Sequence, residues 1–314
     1  MEIFNNFSNA LSSRILGICN DRRVEELYLP ISYTLECGGK RLRPMLCLLC
    51  AHTFTQHTNS AIEKAMSSAL AIEIFHNFTL LHDDIMDSAP TRRGRATVYK
   101  KWNENRAILS GDAMMILSYE ILQDATPLDR LLKIFNRAAL EVCEGQQLDM
   151  DFQNSEQGVT IDEYIEMIRL KTAVLIAAAA QMGAVAAGAQ ESECEALYNF
   201  GLNLGLAFQI QDDLLDTYGN KETFGKEIGG DIAEGKQTFL KVTALYRASD
   251  EQKAILESSK DYNTVRRLYD ELGVPEAASN QISVYFEKAL SYLELLPNNE
   301  NLIKFSNLLL NRNN

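Results

Sequence analysis

Residues 80–87 read Leu-Leu-His-Asp-Asp-Ile-Met-Asp, and residues 208–216 read Phe-Gln-Ile-Gln-Asp-Asp-Leu-Leu-Asp. On a helix Asp83 and Asp87 stand four residues apart, about 40° around the axis, and with Asp84 they crowd one edge. Asp212, Asp213 and Asp216 repeat that spacing 129 positions later, so the two triplets belong to different helices. With 17 Asp in the chain, chance supplies one such pattern about 0.05 times and two copies far more rarely. Each triplet is set in apolar sequence, the first among Ile74, Phe75, Phe78, Leu80, Leu81, Ile85 and Met86. A solvated acidic face would sit among polar residues, so these helices are expected to be buried and their carboxylates to require cations. Oxygen donors of this kind suit Mg²⁺, which keeps several waters and is commonly shared with phosphates.

The rest of the chain agrees with a helical reading. Its 314 residues are 46% hydrophobic and 23% charged, which is globular composition, and only 6 Pro and 17 Gly interrupt regular structure. Helical periodicity runs nearly throughout, with no credible strand-turn-strand unit and no internal repeat. Breaks are expected near Gly38-Gly39, Pro90–Arg95, Gln153–Gly158, Tyr218–Gly230 and Gly273–Pro275. Composition does not shift at any of them, so we expect one all-α domain over residues 1–314. After about residue 245 the sequence is charged amphipathic helix without chemistry of its own.

Several function classes are disfavoured at once. A net charge of −13 repels nucleic acid and anionic lipid. Residues 1–22 lack a basic segment followed by an apolar one, and Thr172–Gly188, the most membrane-like stretch, is rich in Ala and Gly and carries Gln181. The sequence therefore predicts a cytoplasmic protein with no membrane span. Of six cysteines, Cys47 and Cys50 form a lone C-x-x-C inside an apolar run, a pattern of buried thiols more than of zinc. Four scattered histidines, His52, His57, His76 and His82, make no metal cluster.

The basic residues gather beside the acids. Gly38-Gly39-Lys40-Arg41-Leu42-Arg43-Pro44 opens a helix after a glycine turn, where backbone N–H groups and cations can hold phosphate. Arg92-Arg93-Gly94-Arg95 follows the first triplet by one short loop, and Lys171-Thr172, Lys226 and Lys236 flank the second. Acids, cations and glycine turns together point to a diphosphate site.

This ordered set, from Gly38 to about Thr238, resembles the trans-type isoprenyl diphosphate synthases of the polyprenyl synthetase family. The resemblance implies the isoprenoid synthase fold, a bundle of long helices around a central active-site cavity, and a transfer of an allylic group to isopentenyl diphosphate. Asp83, Asp84, Asp87, Asp212, Asp213 and Asp216 would hold two or three Mg²⁺ that clamp the allylic diphosphate. Lys40, Arg43, His76 and Arg93 would bind isopentenyl diphosphate, and Arg92, Lys171, Thr172, Gln209, Lys226 and Lys236 the allylic substrate. Gly111-Asp112-Ala113 and Glu144-Gly145-Gln146 match further hallmarks, read as helix packing and support. Ala96 and Tyr99 depart from the family's usual Pro and His, and Lys226–Asp231 from its Lys-Pro form, with Gly229-Gly230 keeping that loop flexible. The resemblance also implies a homodimer, which periodicity by itself does not distinguish from core.

The chemistry fits these residue types. Ionising an allylic C–O bond needs the leaving diphosphate neutralised by metal ions, Arg and Lys, and no side-chain nucleophile. The Thr172 hydroxyl and the Gln209 amide oxygen would shelter the cation. A growing product would run along the helix below Asp83, where Phe78 lies about 7.5 Å down the axis, a candidate floor. In the family, an aromatic residue at this place accompanies short products, and Thr79 beside it resembles geranylgeranyl (C20) enzymes more than farnesyl (C15) ones. Two rivals share part of the pattern. A class I terpene cyclase would mix Asn, Ser or Thr with Glu in its second motif, and a non-catalytic subunit of a heteromeric synthase would lose Asp residues from one.

Overall fold

The computed structural model describes residues 2–55, 57–153, 158–220, 228–294 and 296–310. Helices dominate them: α1 (Glu2–Gly17), α2 (Glu25–Glu36), α3 (Leu42–Thr55), α4 (Thr58–Met86), α5 (Val98–Lys101), α6 (Glu104–Leu122), α7 (Leu128–Gln153), α8 (Ile161–Ile168), α9 (Val174–Ala187), α10 (Glu191–Tyr218), α11 (Gly230–Glu234), α12 (Phe239–Arg247), α13 (Asp250–Ser258), α14 (Tyr262–Glu271), α15 (Val274–Leu293) and α16 (Glu300–Leu310). Between α8 and α9 the chain widens into a π-turn, Arg169–Ala173.

Helix starts follow local chemistry. Asn103 accepts from the Arg106 N–H to open α6, Thr160 and Glu163 form a reciprocal cap on α8, and Ser249 with Gln252 does the same for α13. The break at Gly273 is a left-handed residue, φ 63°, immediately before α15. Those expected at Gln153–Gly158 and Tyr218–Gly230 lie partly outside the described residues.

One break differs from expectation. Where the sequence gives no strand pairing, Thr91–Arg92 and Arg95–Ala96 form a two-stranded antiparallel hairpin, β1 and β2, with Thr91 opposite Ala96. Two residues per strand are too few for periodicity to register. The turn carries the signal instead, since Arg93 and Gly94 both have positive φ, 51° and 73°, as a type I′ turn requires.

Contacts group the chain into two compact units, residues 1–137, 178–197 and 296–299, and residues 138–177, 198–295 and 300–314. In the first, α4 is the axis. Its 29 residues span about 43 Å and are buried on nearly every side, with Ala61, Ala65, Ala69 and Ala71 admitting neighbouring helices and Ile72, Ile74 and Phe75 filling the core. In the second, Tyr164, Met167, Ile168, Leu206, Ile210 and Phe239 form one core cluster, and Leu240, Leu256, Val265, Leu268 and Tyr269 belong to another. Ile161–Ala187 is long and apolar enough to cross a membrane, but 72% of its most apolar window is buried against protein. All six cysteines are free; Cys47, Cys50 and Cys194 are buried, whereas Cys143 is exposed.

Gly183 shows how tightly the first unit closes. A Cβ there would fall on the Cys47 carbonyl and meet Cys50 Cβ at 3.1 Å, and backbone cannot yield as a flexible side chain can. Gly183→Ala is expected to destabilise the protein by about 1–3 kcal/mol, read from the midpoint of denaturant unfolding.

Candidate functional site

Both acidic triplets lie at carboxyl-terminal helix ends. Asp83 and Asp84 are in the last turn of α4, Asp87 caps it by donating its N–H to the Asp83 carbonyl (2.8 Å), and Asp212, Asp213 and Asp216 occupy the last two turns of α10. Negative charge is disfavoured there by the helix dipole, and neither last turn carries a basic side chain.

Within the first triplet the three acids differ. Asp84 is buried and its Oδ1 accepts from Arg92 Nε at 2.6 Å. Burial raises its pKa while Arg92 opposes the rise. Asp83 and Asp87 are half-buried. Asp84 is thus committed to holding Arg92, and the two more open carboxylates face a different environment.

Beside them α3 and α4 build a basic pocket. Arg43 Nη1 lies 3.1 Å from His76 Nε2, and Arg93 donates to the Gly38 carbonyl. Gly39, at φ 131°, has no side chain because a Cβ would meet the Arg93 guanidinium carbon at 2.7 Å. Burial lowers the pKa of Arg43 to about 10 and that of Arg93 as well, and His76 is held well below the usual imidazole range by burial and then by the two arginines. His76 is therefore neutral, with Nε2 accepting from Arg43. Glu73, 5% exposed, is the local counter-charge; burial raises its pKa, and its Oε1 accepts from Asn77 (3.2 Å). Arg43 Nε is buried without a hydrogen-bond partner among the described residues, an open donor in a cationic pocket. Lys40 is exposed on the same glycine turn.

Around the second triplet the buried Asp213 is the hub. Its Oδ2 accepts from the Tyr164 hydroxyl (2.5 Å) and the Phe239 N–H (2.9 Å), and its Oδ1 from Gln209 Nε2 (3.1 Å). Burial pushes its pKa up to about 6 against the pull of those donors. Because the Gln209 nitrogen is taken by Asp213, its oxygen points the other way and accepts from Thr172 Oγ1 at 2.9 Å. Lys171 Nζ donates to Asp149 at 2.6 Å, and the π-turn presents both Lys171 and Thr172. Gly145 permits this packing, since a Cβ there would lie 2.6 Å from Lys171 Cα. Asp216 Oδ1 accepts from the Asp231 N–H (3.0 Å) and its carbonyl from the Gly229 N–H (2.7 Å). Lys236 pairs with Glu234 at 2.8 Å, and Lys226 lies outside the described residues.

Glu73, Asn77, Asp149 and Tyr164 escaped the sequence reading. Glu73 carried a signal, an acid in the apolar run before His76. Tyr164 and Asp149 carried none, because their partners are 49 and 22 positions away. Phe78 packs against Phe75 (5.3 Å between ring centres), and Thr79 Oγ1 donates to the His76 carbonyl.

The polyprenyl synthetase family model matches residues 24–272. The chain belongs to that family. It is 38% identical over 284 residues to a geranylgeranyl diphosphate synthase of Methanosarcina mazei, covering 87% of this chain and 85% of the relative. A crystal structure of a geranylgeranyl pyrophosphate synthase superposes with a TM-score of 0.91 at 41% identity, covering 99% of each chain. A polyprenyl synthase of Caulobacter crescentus, solved with calcium and isoprenyl diphosphate, gives a TM-score of 0.88 at 29% identity over 100% of this chain and 98% of its own. The fold is that of the isoprenoid synthases and the chain is a short-chain trans-prenyltransferase, which favours this reading over the cyclase and subunit alternatives.

The neutral state of His76 gives a test. A folded-state pKa below the unfolded one means that under about pH 6.5 the unfolded chain takes up a proton the folded chain refuses, so this residue costs stability as pH falls. His76→Gln, which still offers Arg43 an acceptor, is expected to remove a slope of up to about 1.4 kcal/mol per pH unit below pH 6.5, read by comparing urea unfolding of the two proteins from pH 7.5 to 5.

Proposed function

We propose that the protein condenses isopentenyl diphosphate with an allylic diphosphate (dimethylallyl, geranyl or farnesyl) and releases geranylgeranyl diphosphate, C20, as main product. The observation that carries this reading is the placement of both Asp triplets at the dipole-negative ends of α4 and α10. The donor set fits Mg²⁺. Half-buried Asp83, Asp87 and Asp212 offer hard oxygen donors to an ion that keeps several waters and shares substrate phosphate. Asp83 and Asp87 on one helix, and Asp212 and Asp216 on the other, are the ligands we assign, with Asp84 and Asp213 adding charge while holding Arg92 and Gln209. Two or three bound ions would supply Lewis-acid neutralisation of the leaving diphosphate. The calcium and isoprenyl diphosphate of the Caulobacter relative support the assignment.

The residues then divide the work. Arg43, Arg93, Lys40 and the neutral His76 bind the diphosphate of isopentenyl diphosphate, with the open Arg43 Nε as a donor to it. Arg92, Lys171, Lys226 and Lys236 counter the allylic diphosphate. The Thr172 hydroxyl and Gln209 amide, fixed in orientation by Asp213, place negative dipole ends toward the allylic carbons as positive charge develops. The proton lost after C–C bond formation passes to the departing diphosphate. Phe78 is the floor that ends elongation.

The protein acts in the cytoplasm as a homodimer. For the dimer, the support is Ile108, Leu109, Met115 and Ile116, which recur one heptad apart on α6 and are 40%, 59%, 37% and 65% exposed.

The test is incubation with Mg²⁺, labelled isopentenyl diphosphate and each allylic primer, followed by sizing of the dephosphorylated products. Elongation ending at C20 is the expected outcome; diphosphate release from farnesyl diphosphate alone would overturn it in favour of a cyclase. Asp83→Ala and Asp212→Ala are each expected to lower turnover by at least about 100-fold while relieving carboxylate repulsion and keeping the fold, read by steady-state kinetics with circular dichroism. Phe78→Ala is expected to lengthen the product by one or more five-carbon units, and an unchanged distribution would return Phe78 to ordinary core.

A further inference from the structure

We infer that His82 is a specificity-determining residue that fixes the position of Phe78 and thereby the product length. This rests on Phe78 acting as the floor. A helical side chain leans back over the turn before it, so the His82 ring covers Phe78 four residues earlier, with ring centres 4.8 Å apart and planes at 67°. Phe78 is also flanked by Phe75, whose ring packs on Phe135 at 5.4 Å. Phe75 is buried in the core, whereas Phe78 is half-buried, and His82 is the second ring packed against it.

The imidazole is itself held from outside α4. Its Nε2 lies 3.3 Å from the Ile108 carbonyl of α6 and 3.8 Å from Asp112 Oδ1. The ring occupies space that Gly111 leaves open. A Cβ at position 111 would strike Nε2 and approach Cδ2 to 2.6 Å. The Gly-Asp pair of α6 is therefore a socket for His82, and the socket sets how far the ring presses on Phe78.

Two substitutions then act in opposite directions. His82→Ala frees one side of Phe78 and is expected to raise the ratio of longer to shorter products about two- to tenfold, the range of one lost aromatic pair. Gly111→Ala drives the imidazole toward Phe78 and is expected to shift that ratio toward C15. His82→Phe keeps a ring over Phe78 and should restore the wild-type distribution. Product ratios are independent of overall turnover, so a merely structural contribution of His82 would leave them unmoved; circular dichroism confirms the fold of each variant. Unchanged ratios in His82→Ala and Gly111→Ala, with a longer product from Phe78→Ala, would overturn the role of His82 and leave the floor intact. An unchanged product in Phe78→Ala as well would overturn the floor itself. A His82→Phe enzyme that behaves like His82→Ala would also overturn the inference, since the ring would then not be what matters.

Discussion

Six carboxylates are placed where the backbone least tolerates them, in the closing turns of α4 and α10. Helix dipole, mutual repulsion and burial all act against ionised acids there. Much of the surrounding structure follows from meeting that cost. Arg92 is turned back from the hairpin to reach Asp84, Tyr164 and the Phe239 N–H are spent on Asp213, and the backbone of residues 229–231 folds onto Asp216. Even so, burial still raises the pKa of Asp213, the most buried acid of the second triplet, against the pull of the donors it holds.

The same logic with opposite sign governs the pocket formed by α3 and α4. Half-buried Arg43 and His76 and the more exposed Arg93 gather around one buried carboxylate, Glu73, as counter-charge. Arginine tolerates this because its charge is delocalised and resists deprotonation, whereas histidine yields by staying neutral. An anion with several acceptor oxygens would offset this charge, and Arg43 Nε is a buried donor without a hydrogen-bond partner among the described residues.

Much of this was legible in the sequence because the relevant spacings are local. Three Asp at helical spacing, a glycine pair before Lys40 and two arginines after the first triplet are each read within a few residues. The missing parts have partners far along the chain. Tyr164 became meaningful only when it met Asp213, and Asp149 only when it met Lys171. The hairpin of residues 91–96 was hidden by its brevity, although Arg93-Gly94 is a turn that its two positive φ values require. The triplets illustrate a further limit, since acids at one spacing divide into buried ones (Asp84, Asp213 and Asp216) and half-buried ones (Asp83, Asp87 and Asp212) only once the packing around them is known.

The π-turn at Arg169–Ala173 sets local regularity against what the site needs. It is one residue wider than an α-turn, and that extra residue lets Lys171 and Thr172, neighbours in sequence, reach Asp149 and Gln209 respectively. Deleting one residue would restore an unbroken helix with better hydrogen bonds and rotate everything beyond it by about 100°. Evolution in this segment is therefore pulled two ways, with mutational repair of the helix amounting to loss of the site, and Gly145, which leaves room for the bulge, is held to its size by the same tension.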